Sequence, residues 1–426
     1  MNINDPRYSA YVRILESHLR PAMGCTEPIA IAYAAALARR ALGCLPERTV
    51  CQTSGNIIKN AQAVTVPNTD GKKGIEAACA AGLIAGNPDR ELQVIADVSD
   101  AQKAEITAYL SRDCICVQLK PDARLFDILI EVEGGGHRAT TRIADRHTSV
   151  VEITRDGQPL LESELSDEYL SENPDEALLD IGGAYDFAKT CRLEDVQELL
   201  GKQIDCNMAI AEEGLTGKWG AAVGRVLLDS CGADDVRVRA RAYAAAGSDA
   251  RMSGCELPVI INSGSGNQGI TVSVPVIQYA LAQNATREEL LRALVMSNLT
   301  AIRQKSLIGC LSAYCGAISA GCAAGVGIAF LQGGDLHLIN HTLVNSLAIL
   351  SGTICDGAKP SCAAKIASAV DAALVGYEMA KANREFRGGE GIVKKGVENT
   401  IASVGRLGRD GMRETDREIL NIMIGC

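Results

Sequence analysis

IGCLSAYCGAISAGCAAGVGIAFL, residues 308–331, is the stretch whose reading decides the architecture. It is long and apolar enough to score as a membrane span. Its composition argues otherwise: Gly, Ala, Ser and Cys dominate, the Leu, Ile and Phe bulk of a lipid-facing surface is sparse, and no aromatic belt flanks it. Side chains this small let neighbouring helices approach closely, so the stretch reads as a helix or helix pair buried within protein, with no membrane partner.

Working outward, the pattern from Ile181 to the C-terminus is helical almost throughout, interrupted by GSDARMSG, NSGSGNQG and SGTICDGAKPSC. Towards the N-terminus, apolar residues recur at helical spacing from Tyr8 to Ala41, with a break at Pro21 and a restart after Thr26 and Pro28. That is two helices joined by the tight turn PAMGCTEP. Between them, from about Leu92 to Leu160, lie short strand-like runs: LQVIADV, CICVQLK, FDILIEVEG, ATTRIA and SVVEITRDGQPL, the last with DGQ as a hairpin turn. Leu161 to Asp180 is acidic, contains Pro174 and reads as a solvated connection. The expected fold class is α+β: residues 1–90 form the N-terminal helical part of a catalytic domain, 91–165 a small inserted α/β domain, and 175–426 the helical catalytic domain.

A chain of 426 residues can bury a large core without disulfide staples, yet it carries sixteen cysteines. Charges at Asp5, Arg7, Arg13 and Glu16 interrupt any secretory core at the N-terminus, which points to the cytoplasm, where thiols stay free, bind metal or do chemistry. A net charge of −10, one Trp and no basic stripe exclude nucleic acid as partner.

Local setting separates the cysteines. Cys44, Cys51, Cys79, Cys114, Cys116, Cys191, Cys206 and Cys231 sit in ordinary helix or strand contexts and read as small packed hydrophobes. Cys355 and Cys362 instead bracket the turn TICDGAKPSC, where Asp356, Gly357 and Pro360 bend the backbone around both sulfurs. Cys322 lies 33 residues earlier, beside Gly321 in the small-residue stretch. Three thiolates from two segments suit a metal cluster with one iron open; structural zinc would normally bring a CxxC-type pair, which is lacking. Cys310 and Cys315 rank below these three as ligands. In NSGSGNQG, glycines at 264, 266 and 269 let backbone N–H groups close on an anion; the loop matches neither a Walker loop nor a dinucleotide fingerprint, and a small carboxylate is its natural guest. It is flanked by LPVII and ITVSVPVI, both strand-like.

PAMGCTEP, SGNIIKNA, VPNT, GSDARMSG, NSGSGNQG, AGCAAGVG and TICDGAKPSC together resemble the L-cysteine desulfidase family, which is related to the α chain of iron-sulfur L-serine dehydratases. The resemblance runs over nearly the whole chain. It implies a pyridoxal-phosphate-independent [4Fe-4S] enzyme that converts L-cysteine, a small amino-acid substrate, to pyruvate, hydrogen sulfide and ammonia. Carried over by motif, it makes Cys322, Cys355 and Cys362 the cluster ligands, with Cys25 of GCTEP or the terminal Cys426 on the fourth position. Arg251 and Ser263, Gly264, Ser265, Gly266, Asn267, Gln268 and Gly269 are expected to hold the substrate carboxylate. Lys59 and Lys305 could act as base if burial lowers their pKa, and Glu27 if its own is raised. His337 and His341, four apart on an expected helix, read as packing or capping groups. L-serine or L-threonine dehydration and a non-enzymatic metal or redox sensor stand as alternatives, and a homo-oligomer is compatible with either.

Overall fold

The computed structural model describes residues 1–163, 165, 173–309 and 311–425. Helix α1 (Pro6–His18) starts behind Asp5, whose side chain accepts from the Arg7 amide, with Pro6 at the first helical position. A two-residue strand β1 (Pro21–Ala22) leads into the GCTEP turn, and α2 (Thr26–Leu42) follows with Cys25 as its N-cap residue. These are the two helices and the turn expected from PAMGCTEP.

Six strands build the larger sheet: β2 (Arg48–Thr53), β3 (Ile115–Leu119), β4 (Asp127–Gly134), β5 (His137–Ala144), β6 (Val150–Arg155) and β7 (Gln158–Glu162), in the order β3-β2-β4-β5-β6-β7. Only the β2–β3 pair is parallel. The β6–β7 hairpin turns at Asp156 and Gly157, both at positive φ (50° and 76°), as DGQ foretold. Along β4, Ile128, Ile130 and Val132 alternate inward, and α2 packs across β4, β5 and β6. Helices α3 (Gly55–Ala61), α4 (Gly74–Ala85) and α5 (Asp100–Leu110) complete this region, with α4 against α2 and β3.

Two expectations fail here. LQVIADV is no strand: a 3-10 turn occupies Pro88–Gln93, and Leu92, Val94 and Ile95 are core residues of an irregular segment. The sheet is also not confined to 91–165, because β2 comes from residues 48–53 and lies second in the strand order. A strand whose partners lie 66 to 85 residues further along, from Thr49↔Ile115 to Arg48↔Glu133, leaves no local mark of its membership.

Beyond the acidic connection, of which residues 164 and 166–172 lie outside the described residues, α6 (Pro174–Ala177) and α7 (Ile181–Thr190) lead into a helical assembly. It comprises α8 (Gln197–Gly214), α9 (Val223–Cys231), α10 (Val236–Met252), the strand β8 (Val259–Ile260), α11 (Gly266–Ala282), α12 (Arg287–Ile308), α13 (Gly316–Leu331), α14 (Leu336–Leu350), α15 (Cys362–Lys381), α16 (Val397–Arg406) and α17 (Arg413–Ile424). Strand β8 pairs antiparallel with β1 and so ties the N-terminal turn to the start of α11. From Gly316 on, the small-residue stretch is a single helix, α13, surrounded by α11, α12, α14 and α15; Ile308 ends α12, and 311–315 are non-helical. Its glycines set the spacing: a Cβ on Gly321 would stand 2.7 Å from the backbone of Ala369, and one on Gly325 2.8 Å from the Ala373 methyl. Among the described residues no helix is long and apolar enough to cross a membrane.

ITVSVPVI, expected as a strand, is the body of α11. Its β-branched residues favour a strand locally, but Ile270 to Ala280 are buried on every side, and tertiary packing overrides that preference.

Candidate active site

Residues 313–315 and 353–355 run antiparallel alongside each other. The Cys315 amide donates to Thr353 O at 3.0 Å, the Cys355 amide donates to Ala313 O at 2.6 Å, and Tyr314 faces Ile354 across an isolated bridge. This pairing brings the Cys315 thiol within electrostatic reach of Cys355 and of Cys362, the first residue of α15. The intervening turn bends at Gly357 (φ 93°), where a Cβ would meet Lys59 O at 2.2 Å, so the turn lies directly on α3. Cys362 in turn packs with Cys25, Val64 and Met252. Four sulfurs, from the GCTEP turn, the start of α13, the TICDG turn and the start of α15, therefore converge.

Cys322 is not among them. It lies seven residues into the helix from Cys315, about 10 Å along the axis, and is fully buried where α13 presses on α15. Of the ligands expected from sequence, Cys355 and Cys362 lie together, Cys315 stands beside them where Cys322 was expected, and Cys25 is alongside. Burial, reinforced by Cys355, pushes the Cys315 thiol up to about 12, and burial likewise raises Cys362 and Cys25. Such thiols ionise only against a cation. The donor set is soft and shielded, and the neighbouring carboxylate of Asp356 is engaged by Lys359 and Lys365, so these residues fit an iron-sulfur cluster.

The glycine loop forms the adjoining wall. Asn262 and Ser265 exchange two backbone bonds of 3.1 Å across Ser263 and Gly264, both at positive φ (49° and 79°), the geometry of a two-residue hairpin turn. α11 starts immediately after, leaving the first-turn amides of Gly266, Asn267 and Gln268 without intrahelical acceptors. A helix therefore does follow this loop, contrary to the sequence reading. Arg251, at the end of α10, lies against Gly266, where a Cβ would stand 2.2 Å from its Nε. Its side chain is 2 % exposed, yet Nε and Nη2 have no hydrogen-bond partner. Gln268 covers Gly316 next to Cys315, and its Oε1 is also unpartnered. Buried guanidinium nitrogens without partners, beside first-turn amides, are the chemistry that can hold a carboxylate.

The GCTEP turn closes the third side. The Thr26 hydroxyl donates to Gly264 O at 2.9 Å, joining turn to loop. Glu27 Oε2 accepts from the Cys25 thiol at 3.1 Å, and its Oε1 accepts from Asn60 Nδ2 at 3.2 Å. Burial opposes ionisation of Glu27, but His147 and the Cys25 thiol outweigh it and hold the carboxyl down at about 2. Glu27 is thus an anion at neutral pH, not the raised acid the sequence required for a base. Lys59 is buried in an ion pair with Asp416 of α17, and lines a cavity of about 820 Å³ between α3, the 119–125 loop, the 308–313 segment and α17. It is not an unengaged amine. Lys305 is buried in the last turn of α12. Cys310 and Cys426 lie outside the described residues.

His147 was not legible in the sequence. From the turn between β5 and β6, its Nε2 lies 3.9 Å from Glu27 Oε1, its ring meets Phe126 edge-on, and its Cε1 lies 3.0 Å from where a Gly264 Cβ would be. A single His in a loop, ADRHTS, carries no spacing signal. Only the fold brings the sheet region to the site.

The chain is similar over its whole length to a UPF0597 protein of Desulfitobacterium hafniense: 55% identity, covering 100% of this chain and 98% of that protein. A UPF0597 protein of Finegoldia magna is 47% identical over 97% of this chain and 99% of its own, and one of Bacteroides fragilis 38% over 97% and 98%. Residues 89–421 match the family described as serine dehydratase alpha chain. By this match over most of its length the chain belongs to the serine dehydratase alpha chain family of lyase-type enzymes.

Proposed function

We propose that the protein is an iron-sulfur β-eliminating lyase that converts L-cysteine to pyruvate, hydrogen sulfide and ammonia. The observation that carries the reading is the convergence of Cys25, Cys315, Cys355 and Cys362 beside the unpartnered guanidinium of Arg251. Cys315, Cys355 and Cys362 would hold a [4Fe-4S] cluster, and Cys25 is placed to take the remaining position. When bound, the cluster supplies a Lewis-acidic iron that stabilises a departing β-substituent.

The chain's own residues do the rest. Arg251 and the Gly266–Gln268 amides fix the substrate carboxylate, so the Cα–Cβ bond takes one orientation in the site. Gln268, lying over Gly316, spans from that carboxylate to the cysteines. Glu27, held as a carboxylate, accepts the hydrogen bond of the Cys25 thiol at 3.1 Å and so fixes the sulfur's direction, while His147 stands 3.9 Å behind the carboxylate on the side of the sheet region. Loss of the Cα proton to a base and of hydrosulfide from Cβ leaves an aminoacrylate, which tautomerises to the imine and is hydrolysed by water to pyruvate and ammonia.

The family description favours a second substrate, L-serine, with water as the leaving group. A soft sulfur leaving group and the thiol of the GCTEP turn favour L-cysteine. Anaerobically purified protein, assayed for iron, acid-labile sulfide and absorption and then for products, decides between them. Sulfide release from L-cysteine at a higher kcat/KM than pyruvate release from L-serine is expected. The reverse ranking makes it a dehydratase, and a colourless, iron-free zinc protein removes both readings.

A further inference from the structure

His337 and His341 stand one turn apart on α14, so both rings share a face. Their centroids are 4.3 Å apart. Glu385, in the segment after α15, reaches the same place, with Oε2 2.7 Å from His341 Nδ1. One nitrogen from each ring and one carboxylate oxygen all lie within 4.8 Å of one another. A tetrahedral ion with bonds near 2.0–2.1 Å separates its ligands by about 3.4 Å, so small side-chain rotations bring these atoms into register.

Two observations distinguish this cluster from a chance surface contact. Buried Asn345, one turn beyond His341, holds the Glu385 segment on both sides: it accepts from the Phe386 amide at 3.0 Å and donates to Arg384 O at 3.0 Å. The carboxylate is therefore presented by a fixed backbone. His341 Nδ1 is shielded from water, yet its contact with Glu385 is not an aligned hydrogen bond, so a buried nitrogen lone pair or N–H has no satisfied partner. The cluster is also remote from the cysteines, because α15 runs 20 residues, about 30 Å, away from Cys362 before this segment begins.

We propose that His337, His341 and Glu385 form a binding site for a divalent transition metal of the zinc class. Two imidazoles and one carboxylate are the donors such an ion prefers over magnesium or calcium. Three protein ligands at a partly exposed position leave the remaining coordination to water. The ion ties α14, a neighbour of α13, to the segment after α15, and so staples this end of the helical assembly.

Sixteen cysteines offer zinc other homes, so the test counts iron and zinc in the same sample. Anaerobically purified full-length protein, wild type, H337A/H341A and E385Q, is dialysed against Zn²⁺, and thermal melting is followed with and without the ion. The wild type is expected to bind one zinc equivalent that H337A/H341A lacks. E385Q should bind it roughly tenfold more weakly or worse, and iron should be unchanged in all three. Zinc should raise the melting temperature of the wild type and leave that of H337A/H341A where it was. Equal zinc binding by wild type and H337A/H341A overturns the proposal, as does zinc taken up only in exchange for iron.

Discussion

At its start α13 meets loops, and two turns further in it meets only helices. Cys315 is the N-cap residue, extended and paired with the 353–355 segment, with Gln268 and the TICDG turn around it. Cys322 is enclosed where Gly321 and Gly325 press on α15. The same residue type, seven positions apart in one helix, is a candidate ligand at one end and a packing atom at the other. What separates them is the backbone opposite. A strand segment leaves room for converging side chains, whereas a helix in close contact fills it.

The sharpest way to break this contrast is to exchange the cysteines for alanine one at a time. Cys315→Ala is expected to lose bound iron and all measurable turnover. Cys322→Ala should keep its iron and most of its activity, at a stability cost of about 1 kcal/mol for the lost sulfur. Iron analysis and chemical denaturation read both, and an iron-free Cys322→Ala beside an iron-replete Cys315→Ala would reverse the assignment.

Arg251 extends the contrast to unsatisfied polar groups. The amides of Gln203, Asn298 and Asn262 are comparably buried but bond one another at 2.8–3.0 Å, as a structural network should. Arg251 Nε and Nη2 bond nothing in the protein. Arg251→Met, which keeps the bulk, is therefore expected to lower kcat/KM roughly 10²-fold, the worth of charge-assisted hydrogen bonds to a carboxylate. Its melting temperature should be no lower than wild type. A destabilised Arg251→Met with normal kcat/KM marks the guanidinium as structural.

On the packing side, Gly321→Ala places a methyl 2.7 Å from the Ala369 backbone, which cannot rotate away. Overpacking of this kind costs about 1–3 kcal/mol. The loss should appear in denaturation, with turnover per iron unchanged. A change in turnover per iron at unaltered stability would mean that the middle of α13 communicates with the site.

The sequence carried the architecture where signals are local. Small residues marked α13 as buried, the GCTEP turn separated α1 from α2, and DGQ marked the β6–β7 hairpin. It misled where pairing is non-local. β2 looked like part of the helical region because its partners β3 and β4 lie far along the chain. The β-branched body of α11 resembled a strand because burial, not propensity, makes it helical. Within the candidate site, Cys355, Cys362, Cys25, Arg251 and the glycine loop were legible from turn residues and motifs. Cys315 ranked below Cys322 because only the 313–315 and 353–355 pairing sets it beside Cys355, and His147 was missed because the sheet region delivers it from elsewhere in the chain.

Two residues before Arg251, Asp249 offers the smallest test of how this end of α10 treats unpaired polar atoms. Its Oδ2 accepts from the Gly224 amide at 3.1 Å, while Oδ1 has no side-chain or backbone partner. Burial lifts its pKa from 3.8 to about 6, outweighing the amides of Gly224 and Val223. The folded state thus holds this proton more tightly than the unfolded chain. Its contribution to stability is fully present below pH 3.8, declines as pH rises towards about 6, and is gone above that. Asp249→Asn cannot ionise and should lose this decline. Relative to the variant, wild type should therefore weaken between about pH 4 and pH 6 and run parallel to it at higher pH. Melting curves of both proteins across that interval check the sign; a difference that stays constant from pH 4 to 7 would show that the carboxyl titrates normally and that its unpaired oxygen is satisfied by solvent.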